Sequence, residues 1–537
     1  MANLFDKTKT LFVHTLKRDW LKLIFWFFGL VAFAAAGLGK IHEIYGGNPN
    51  ELLMMKETLQ NPAMIALLGP SVATAENYTV GAMYAQEMIL FTALTFAIVS
   101  IIHVVSRTRK EEDDGTTELI RSFSVGKLAG TSAIVIELFI FHCLVAFAIG
   151  ALLQVQGISS MMIFSENLLF GATLAAQGFL WGMIALLFAQ IATNASGAKG
   201  LSFFVLGIFY IMRMITDMES FHLSWLNPLA WSYLVEVYVN NHWTPILLAL
   251  TLSFLLIVIS FRLELTRDVG GGFLAEGEGR AYAHKTLLNL QGLALRQQRT
   301  TIFSWLIGLF TLGATYGSVF QNMNDFVKGS AMIQEMFLQA GSHYTIQEQF
   351  MTTLFLIMGL FSSVFGLTSF MRLINEEKKN YQEQLYAKPL SRANFYWTYG
   401  SIGIVLSILG QFSAIFGLFI GQYSVMSEPI AFVEVAKAGF IWLPAIFFTL
   451  ALLSLFIGYL PRRTSVIWGY LLFAFFISYF GTLMNLPKFV ARLDIFSYIP
   501  KIPVETMNWG NVALIVLLSI ALFVVGFVGY RNRDLIG

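Results

Sequence analysis

Long runs of apolar residues alternate with short polar segments along the whole chain. Most runs are close to the roughly 20 residues that an α-helix needs to cross a bilayer. Their apolar positions are continuous rather than alternating, which argues against a β-barrel. The runs lie near residues 20–38, 85–105, 128–152, 167–192, 200–216, 244–262, 301–318, 349–370, 394–421, 436–460, 464–484 and 511–530. The pattern predicts an all-α polytopic membrane protein with twelve transmembrane helices.

Composition supports this class. The chain has 537 residues, of which 56% are hydrophobic and 12% charged, whereas a soluble domain carries about a quarter charged residues. The single cysteine, Cys143, lies inside an apolar run, so we expect no disulfide framework and no metal site. We also find no catalytic constellation, and the net charge of +2 gives no reason to expect a nucleic-acid partner.

The distribution of cations predicts the orientation of the spans. With the N-terminus in the cytoplasm, most of the 34 Lys and Arg residues fall in cytoplasmic segments, as the positive-inside rule requires. Twelve spans then place both termini in the cytoplasm.

The chain resembles itself in three places. The segment "LKRDWLKLIFWFFG" aligns with "LRQQRTTIFSWLIG" and superimposes Trp26 on Trp305. A polar segment at residues 107–127 aligns with residues 372–392, and "RDVGG" from Arg267 aligns with "RDLIG" at the C-terminus. These matches predict two parallel six-helix repeats, related by an axis along the membrane normal.

The repeat divides the chain into three parts. Residues 1–268 form the first six-span half, residues 269–294 a Gly-rich cytoplasmic linker, and residues 295–537 the second half. The linker glycines do not form a G-x-x-x-x-G-K-[ST] phosphate-binding loop, and this motif occurs nowhere else in the chain.

The two polar segments share one plan, and we call residues 107–127 the first island and residues 372–392 the second island. Gly115 and Asn380 occupy aligned positions where a helix N-cap is expected, and Glu118 and Glu383 follow three residues later. Apolar residues come next, so each island predicts a short helix with an apolar face that needs a partner surface. The alternative is that the charges only keep a loop solvated; the matching pattern of the two copies favours docking.

The first island carries a family resemblance. The run "VVSRTRKEEDDGTTELIRSFSVGK" resembles the signature of permease subunits of bacterial type-2 ABC exporters, and it is most similar to the twelve-span group labelled exporters of polyketide antibiotics. The segment "NPAMIALLGP" and the two "RD" span exits also fit that group, so the resemblance covers essentially the whole chain. The second island departs from the signature, since Asn380 replaces the glycine and Ile374 stands at the position of Arg109.

The resemblance implies a function. In that family the cytoplasmic helix is a coupling helix on a separate ATPase, so the chain is expected to export hydrophobic or amphipathic, antibiotic-like compounds across the bacterial cytoplasmic membrane. Two copies of a soluble ABC ATPase would be its partners and would bind ATP and Mg²⁺, while this chain would bind no cofactor and would not be an enzyme. The implied ATPase-coupling residues are Glu111, Glu112, Gly115, Glu118, Leu119, Ile120, Glu376, Glu377, Glu383, Leu385, Pro389 and Arg392.

Residues of the substrate pathway are harder to predict. Glu137 lies well inside the third span, where a charged group is costly and normally faces a partner or a cavity. His142 is a possible neighbour of Glu137, and His103 is expected to make interfacial hydrogen bonds. Arg213 and Asp217 are four residues apart, a spacing that favours structural pairing on one helix face over contact with substrate.

The main alternative is an ion-coupled secondary transporter, since twelve spans in two parallel halves also describe that class. It would need buried coupling acids, and Glu137 is the main candidate for such a group. It would also have no use for two docking helices.

Overall fold

The computed structural model is all-α: helices joined by turns and irregular segments make up the part of the chain that it describes, which contains no strand. The described residues are 4–46, 49–60, 62–156, 163–219, 221–273, 281–318, 320, 346–378, 385, 388–426, 428–480 and 493–534. The chain forms two compact units, unit 1 from Met1 to Gly279 and unit 2 from Arg280 to Gly537.

Unit 1 contains helices that differ widely in length. They are α1 (Thr8–Ala34), α2 (Leu38–Tyr45), α3 (Pro49–Leu59), α4 (Pro62–Leu68), α5 (Val80–Arg107), α6 (Arg109–Asp113), α7 (Thr116–Arg121), α8 (Ala129–Val155), α9 (Phe164–Ile191), α10 (Ala195–Glu219) and α11 (Thr244–Thr266). Two 3₁₀-helices, Phe221–Leu226 and Ala230–Ser232, lie between α10 and α11.

Unit 2 follows with fewer described helices. They are α12 (Leu290–Ser318), α13 (Ile346–Lys378), α14 (Arg392–Val425), α15 (Phe432–Phe440), α16 (Leu443–Tyr459), α17 (Val466–Phe480) and α18 (Trp509–Asn532). The 3₁₀-helices are Lys285–Leu288, Pro461–Arg463 and Ile495–Tyr498. Helix α12 therefore begins inside the segment that was predicted to be linker.

Nine helical segments in the described part of the chain are long and apolar enough to cross a membrane, with α5–α6 and α15–α16 each counted as one segment. The predicted spans at 20–38, 301–318 and 464–484 coincide with α1, α12 and α17, which do not meet that criterion. Helices α1 and α12 carry cations in their first halves, and the described part of α17 is short. The total of twelve spans stays a prediction.

Helix ends follow local capping chemistry. The hydroxyl of Thr79 accepts a hydrogen bond from the backbone N–H of Ala82 at the start of α5, and Ser391 accepts one from Asn394 at the start of α14. These side chains satisfy amides that have no partner within the helix. Proline in the first turn starts α11 and α16 without losing a helical hydrogen bond.

Helix α9 lies at the centre of unit 1 and packs against α5, α8, α10 and α11. Its sequence is apolar all round, as expected for a helix without a solvent face. Several of its few polar side chains have internal partners; the Gln177 amide N–H, for example, donates to the carbonyl oxygen of Pro228 at 2.9 Å.

Small residues bring α12 and α14 into backbone contact in unit 2. A Cβ added at Gly313 of α12 would lie 2.8 Å from the backbone nitrogen of Leu418, and one at Gly417 of α14 would lie 3.0 Å from the nitrogen of Ala314. Each helix carries a G-x-x-x-G motif, Gly313 to Gly317 in α12 and Gly417 to Gly421 in α14. Such motifs let membrane helices approach closely.

We predict that Gly313→Leu destabilises unit 2 by about 1–3 kcal/mol, because the side chain forces two backbones apart. Gly308→Leu on the same helix is the control, since nothing lies within 4 Å of an added Cβ there. Thermal unfolding in detergent measures both variants. Equal melting temperatures for the two would contradict the packing.

Candidate functional site

The first island folds as two short helices joined by a sharp turn. Helix α5 ends at Arg107, α6 covers Arg109–Asp113, and α7 covers Thr116–Arg121. Gly115, at the N-cap of α7 where it was predicted, has a φ of 75°. This left-handed conformation favours glycine, and Glu118 lies in the first turn of α7, where it complements the helix dipole.

Glu112 is the anchor of the first island. Its carboxylate accepts a bidentate pair of hydrogen bonds from the Arg267 guanidinium at 2.7 and 2.8 Å. It also accepts a hydrogen bond from the backbone N–H of Gly270 at 2.9 Å and one from Arg109 at 2.9 Å. The pair ties α6 to the exit of α11, and the partners of the carboxylate among the described residues belong to unit 1.

Arg109 extends this anchor to a second junction. Its guanidinium is fully buried and donates to the carbonyl oxygens of Thr193, Gly270 and Gly271 at 2.5, 3.0 and 2.8 Å. Thr193 lies between α9 and α10, so one side chain joins that turn to the chain after α11.

Most of the other charges of the first island are also paired within unit 1, whereas Lys110, Asp114 and Glu118 are exposed. Glu111 accepts a hydrogen bond from Arg107 at 3.2 Å and lies 2.6 Å from Arg18 of α1. The remaining links are Arg107 to Asp19, Asp113 to the backbone N–H of Ala195, Arg121 to Glu264, and Lys127 to the carbonyl of Leu265. Ion pairs hold α6 and α7 against α1, α5 and α11, and the hydrogen bond of Asp113 adds α10.

Two apolar side chains in and just after α7 are exposed rather than packed against unit 1. Leu119 is 65% exposed and Phe123 just after the helix is 68% exposed, while Ile120 is half-buried. No residue of α7 is buried. The first island thus presents apolar side chains on a charged, internally paired base.

Unit 2 contains the same anchor at the aligned positions. Glu377 accepts a bidentate pair from Arg533 at 2.6 and 2.7 Å. Arg392, at the position of Lys127, donates to the carbonyl oxygens of Tyr530, Arg531 and Arg533 at the end of α18. Lys127 makes the equivalent contact with the end of α11.

The second island differs in its remaining details. Glu376 pairs with Arg372 at 3.3 Å, and buried Ile374 takes the place of Arg109. Leu385 packs partly buried on the core of unit 2 and Pro389 is exposed. Asn380 and Glu383 lie outside the described residues.

The coupling roles predicted for the two islands therefore stay predictions, but their residues do not all point the same way. The structure turns Glu111, Glu112, Glu376 and Glu377 toward arginines of their own unit. Glu118 and Leu119 are exposed.

Glu137 has a different neighbour from the one considered from sequence. The nearest titratable group is His103 of α5, whose Nε2 lies 3.2 Å from Oε1 of Glu137. His142 points elsewhere and shares a hydrogen bond with the Ser100 hydroxyl at 2.8 Å. His103 was expected to make interfacial hydrogen bonds; it is buried in unit 1, and neither ring nitrogen forms a hydrogen bond with a described residue. Glu137 and His142 are five residues apart on α8, a spacing that does not place them on one helix face, and the tertiary contact with α5 supplies the actual neighbour.

Arg213 and Asp217 form the ion pair that their spacing predicts, at 2.7 Å and with both side chains buried. Asp217 also accepts hydrogen bonds from the hydroxyls of Ser224 and Tyr233 at 2.6 and 2.5 Å. Burial, and then the neighbouring carboxylate, raise the pKa of Tyr233 well above its ordinary value. The cluster joins α10 to the segment before α11, which favours a structural role; Ser224 and Tyr233 were not identified from the sequence.

No group of three His, Cys, Asp or Glu side chains in the described ranges could hold a metal ion.

Known proteins give the chain a context. Residues 287–531 match the family described as the C-terminal domain of the multidrug efflux system permease Rv1217c. Over 525 residues the chain is 28% identical to the multidrug efflux system permease protein Rv1217c of Mycobacterium tuberculosis (strain ATCC 25618 / H37Rv), an alignment that covers 97% of this chain and 93% of that protein. The predicted resemblance to a drug-exporting permease is confirmed by this relative. Together with the apolar helices, it identifies a multi-pass membrane protein.

We predict that removing one partner of the Glu112–Arg267 pair destabilises the protein by about 1.5–3 kcal/mol, because the other charge loses its bidentate hydrogen bonds and keeps only its remaining partners, which for Glu112 are Arg109 and the N–H of Gly270. Glu112→Gln, Arg267→Gln and the double variant form a thermodynamic cycle, measured by thermal unfolding. The double variant should lose clearly less than the sum of the single losses.

The exposed pair Glu434–Lys437 is the control for this cycle. The Lys437 Nζ lies 2.8 Å from Oε1 of Glu434, and the two side chains are 58% and 49% exposed. Glu434→Gln should cost less than about 1 kcal/mol. Additive losses at Glu112 and Arg267 would show that the pair does not act as a unit.

Proposed function

We propose that this chain, a homologue of a multidrug efflux permease, is the transmembrane subunit of an ATP-driven exporter of hydrophobic or amphipathic compounds. Two copies of a soluble ABC ATPase bind ATP and Mg²⁺ and dock on the two islands, and the chain itself hydrolyses no ATP. It resides in the bacterial cytoplasmic membrane with both termini in the cytoplasm.

One observation carries the docking proposal: Leu119 of α7 and Phe123 just after it are exposed on a base of ion pairs. Exposed apolar side chains in a polar setting mark interaction sites. A short helix that presents them to a groove on another protein is a common recognition mode. The surrounding charges argue for a soluble partner, since the acids and arginines of the island favour water over lipid.

The internal ion pairs divide the island residues into two roles. Glu118, Leu119, Ile120 and Phe123 contact the ATPase, while Glu111 and Glu112 position them. In the second island Glu376 and Glu377 take the positioning role, and Glu383 and Leu385 belong to the contact.

The anchors also support the twofold plan. A carboxylate before the third long helix of a unit binds an arginine just after its last helix, as Glu112–Arg267 in unit 1 and Glu377–Arg533 in unit 2. We therefore keep the proposal of two parallel six-span repeats, with halves at residues 1–268 and 295–537 and a joint at 269–294.

The geometry suggests how force reaches the membrane helices. ATPase closure pushes on α7, and Arg121 passes the load to Glu264 near the end of α11. Glu112 and Arg109 pass it to the exit of α11 and to the turn before α10. The helices of unit 1 therefore move together when the ATPases close.

The alternative is an ion-coupled transporter, and the buried contact between Glu137 and His103 favours it. Such a pair can exchange a proton as a transporter changes state. In that case no ATPase would dock on the islands, and their exposed apolar residues would have no binding partner.

We predict that Leu119→Asp and Phe123→Asp together reduce co-purification of the ATPase by at least about tenfold, since apolar anchors dominate such interfaces. Glu118→Lys should weaken it further. Tyr282→Asp is the control, because Tyr282 is a large apolar side chain that is even more exposed and lies outside the first island. An ATPase retained by the Leu119/Phe123 variant would contradict docking on α7.

We also predict that the purified chain in liposomes, without the ATPase, moves no drug in response to a proton or sodium gradient. Adding the ATPase and ATP should start transport. The movement of a fluorescent drug across the liposome membrane is the quantity measured. Transport driven by a gradient alone would establish the ion-coupled alternative.

A further inference from the structure

A groove of about 300 Å³ runs between α1 and α8 in unit 1. Its walls are apolar and aromatic, with Phe12, Trp20 and Phe27 from α1 and Ile140, Phe141 and Leu144 from α8. The volume is at the lower end of the range for small-molecule sites, which are mostly apolar with a few placed polar groups.

Glu137 is the charged member of this lining. Its side chain is only 1% exposed, and neither carboxylate oxygen accepts a hydrogen bond from any residue that the structure describes. A buried polar group normally has its partners, so this carboxylate is an exception that calls for one.

The nearby cations do not complete the site. His103 approaches Oε1 to 3.2 Å without hydrogen-bond alignment. The Lys22 ammonium lies 4.2 Å from the ring centre of Trp26 and is near enough to interact electrostatically with Glu137, but within the described residues no lysine or arginine forms an ion pair with Glu137. A charged carboxylate in an apolar groove is costly until a cation joins it.

We propose that this groove binds lipophilic organic cations, with the Glu137 carboxylate recognising the positive charge and the aromatic walls holding the apolar body. Charge complementarity selects this occupant, because an anion would be repelled and a neutral compound would leave the carboxylate unpaired. The role of the bound cation as exported cargo rests on the proposed function.

Unit 2 lacks this site at the aligned positions. Ile402 stands where Glu137 does, and Thr368 stands where His103 does, with its hydroxyl bonded to the carbonyl of Val364 within its own helix. The carboxylate is therefore not required by the helical frame that the two units share, which favours a ligand role over a packing role.

The test uses the full chain with its ATPase in lipid nanodiscs. Tetraphenylphosphonium and tetraphenylborate have the same shape and opposite charge, and their equilibrium binding is measured against empty nanodiscs. Tetraphenylphosphonium should bind the wild type, and Glu137→Gln should weaken that binding at least about tenfold, as loss of a buried charge partner does. Tetraphenylborate should gain nothing from the carboxylate, so its binding should not weaken in the variant.

Two further variants test whether the effect is specific to the groove. Glu76→Gln removes an exposed acid outside the groove and should leave binding unchanged. Ile140→Trp keeps the carboxylate but fills the groove, and it should also reduce tetraphenylphosphonium binding. Thermal unfolding of each variant checks that the chain is folded.

Wild-type chain that binds no tetraphenylphosphonium above empty nanodiscs would overturn the proposal, as would a folded Glu137→Gln variant with unchanged affinity. Proton uptake at Glu137 without cation binding would overturn it as well and favour the ion-coupled alternative. Binding needs no ATP, so a failure here is distinct from a failure of ATPase docking at Leu119 and Phe123.

Discussion

The bidentate pairing of a buried carboxylate with a guanidinium fixes each unit at one end, through Glu112 and Arg267 in unit 1 and Glu377 and Arg533 in unit 2. Burying two charges costs several kcal/mol each, and the attraction between them offsets this only when geometry and additional hydrogen bonds are good. Two parallel N–H···O bonds and the N–H of Gly270 meet that condition in unit 1. The pairs therefore serve mainly to orient the segments that carry them, because a guanidinium donates two hydrogen bonds to a carboxylate in few relative orientations. They hold the chain between two long helices in a fixed position against the exit of the last helix.

This constraint explains why so many charges surround so short a helix. Helix α7 spans six residues, too few to be stable alone, and it buries none of them. Its position comes from the paired residues on either side, among them Glu112 before it and Lys127 after it. A helix held in this way can present Leu119 and Phe123 without an apolar base of its own. The ion pairs supply the rigidity and the apolar residues supply the surface, which is why Glu111 and Glu112 point toward arginines of unit 1 while Glu118 is exposed.

The sequence predicted the helical class, the aligned islands and the cap at Gly115, because these depend on hydrophobic runs and local backbone chemistry. It did not identify the partners of the acids, since a carboxylate in a polar segment reads as solvent-exposed until the fold brings an arginine to it. A signal was present: Glu112 aligns with Glu377, and Arg267 with Arg533, so opposite charges recur together in both halves. The G-x-x-x-G motifs of α12 and α14 were a second signal that hydropathy alone does not weigh. For Glu137, helical spacing tested neighbours on α8 only, whereas His103 approaches from α5.

The places where the two units differ carry as much information as those where they agree. Glu112–Arg267 and Glu377–Arg533 occupy aligned positions, so this pair belongs to the frame that each unit needs to fold. Arg109 and Glu137 are replaced by the apolar residues Ile374 and Ile402, which are also buried. An apolar residue thus satisfies the packing at both positions, so the buried charges of unit 1 are not demanded by the frame and cost free energy there. For Arg109 the surrounding carbonyl oxygens offset that cost. No described hydrogen-bond partner offsets it for Glu137, and a cationic ligand would.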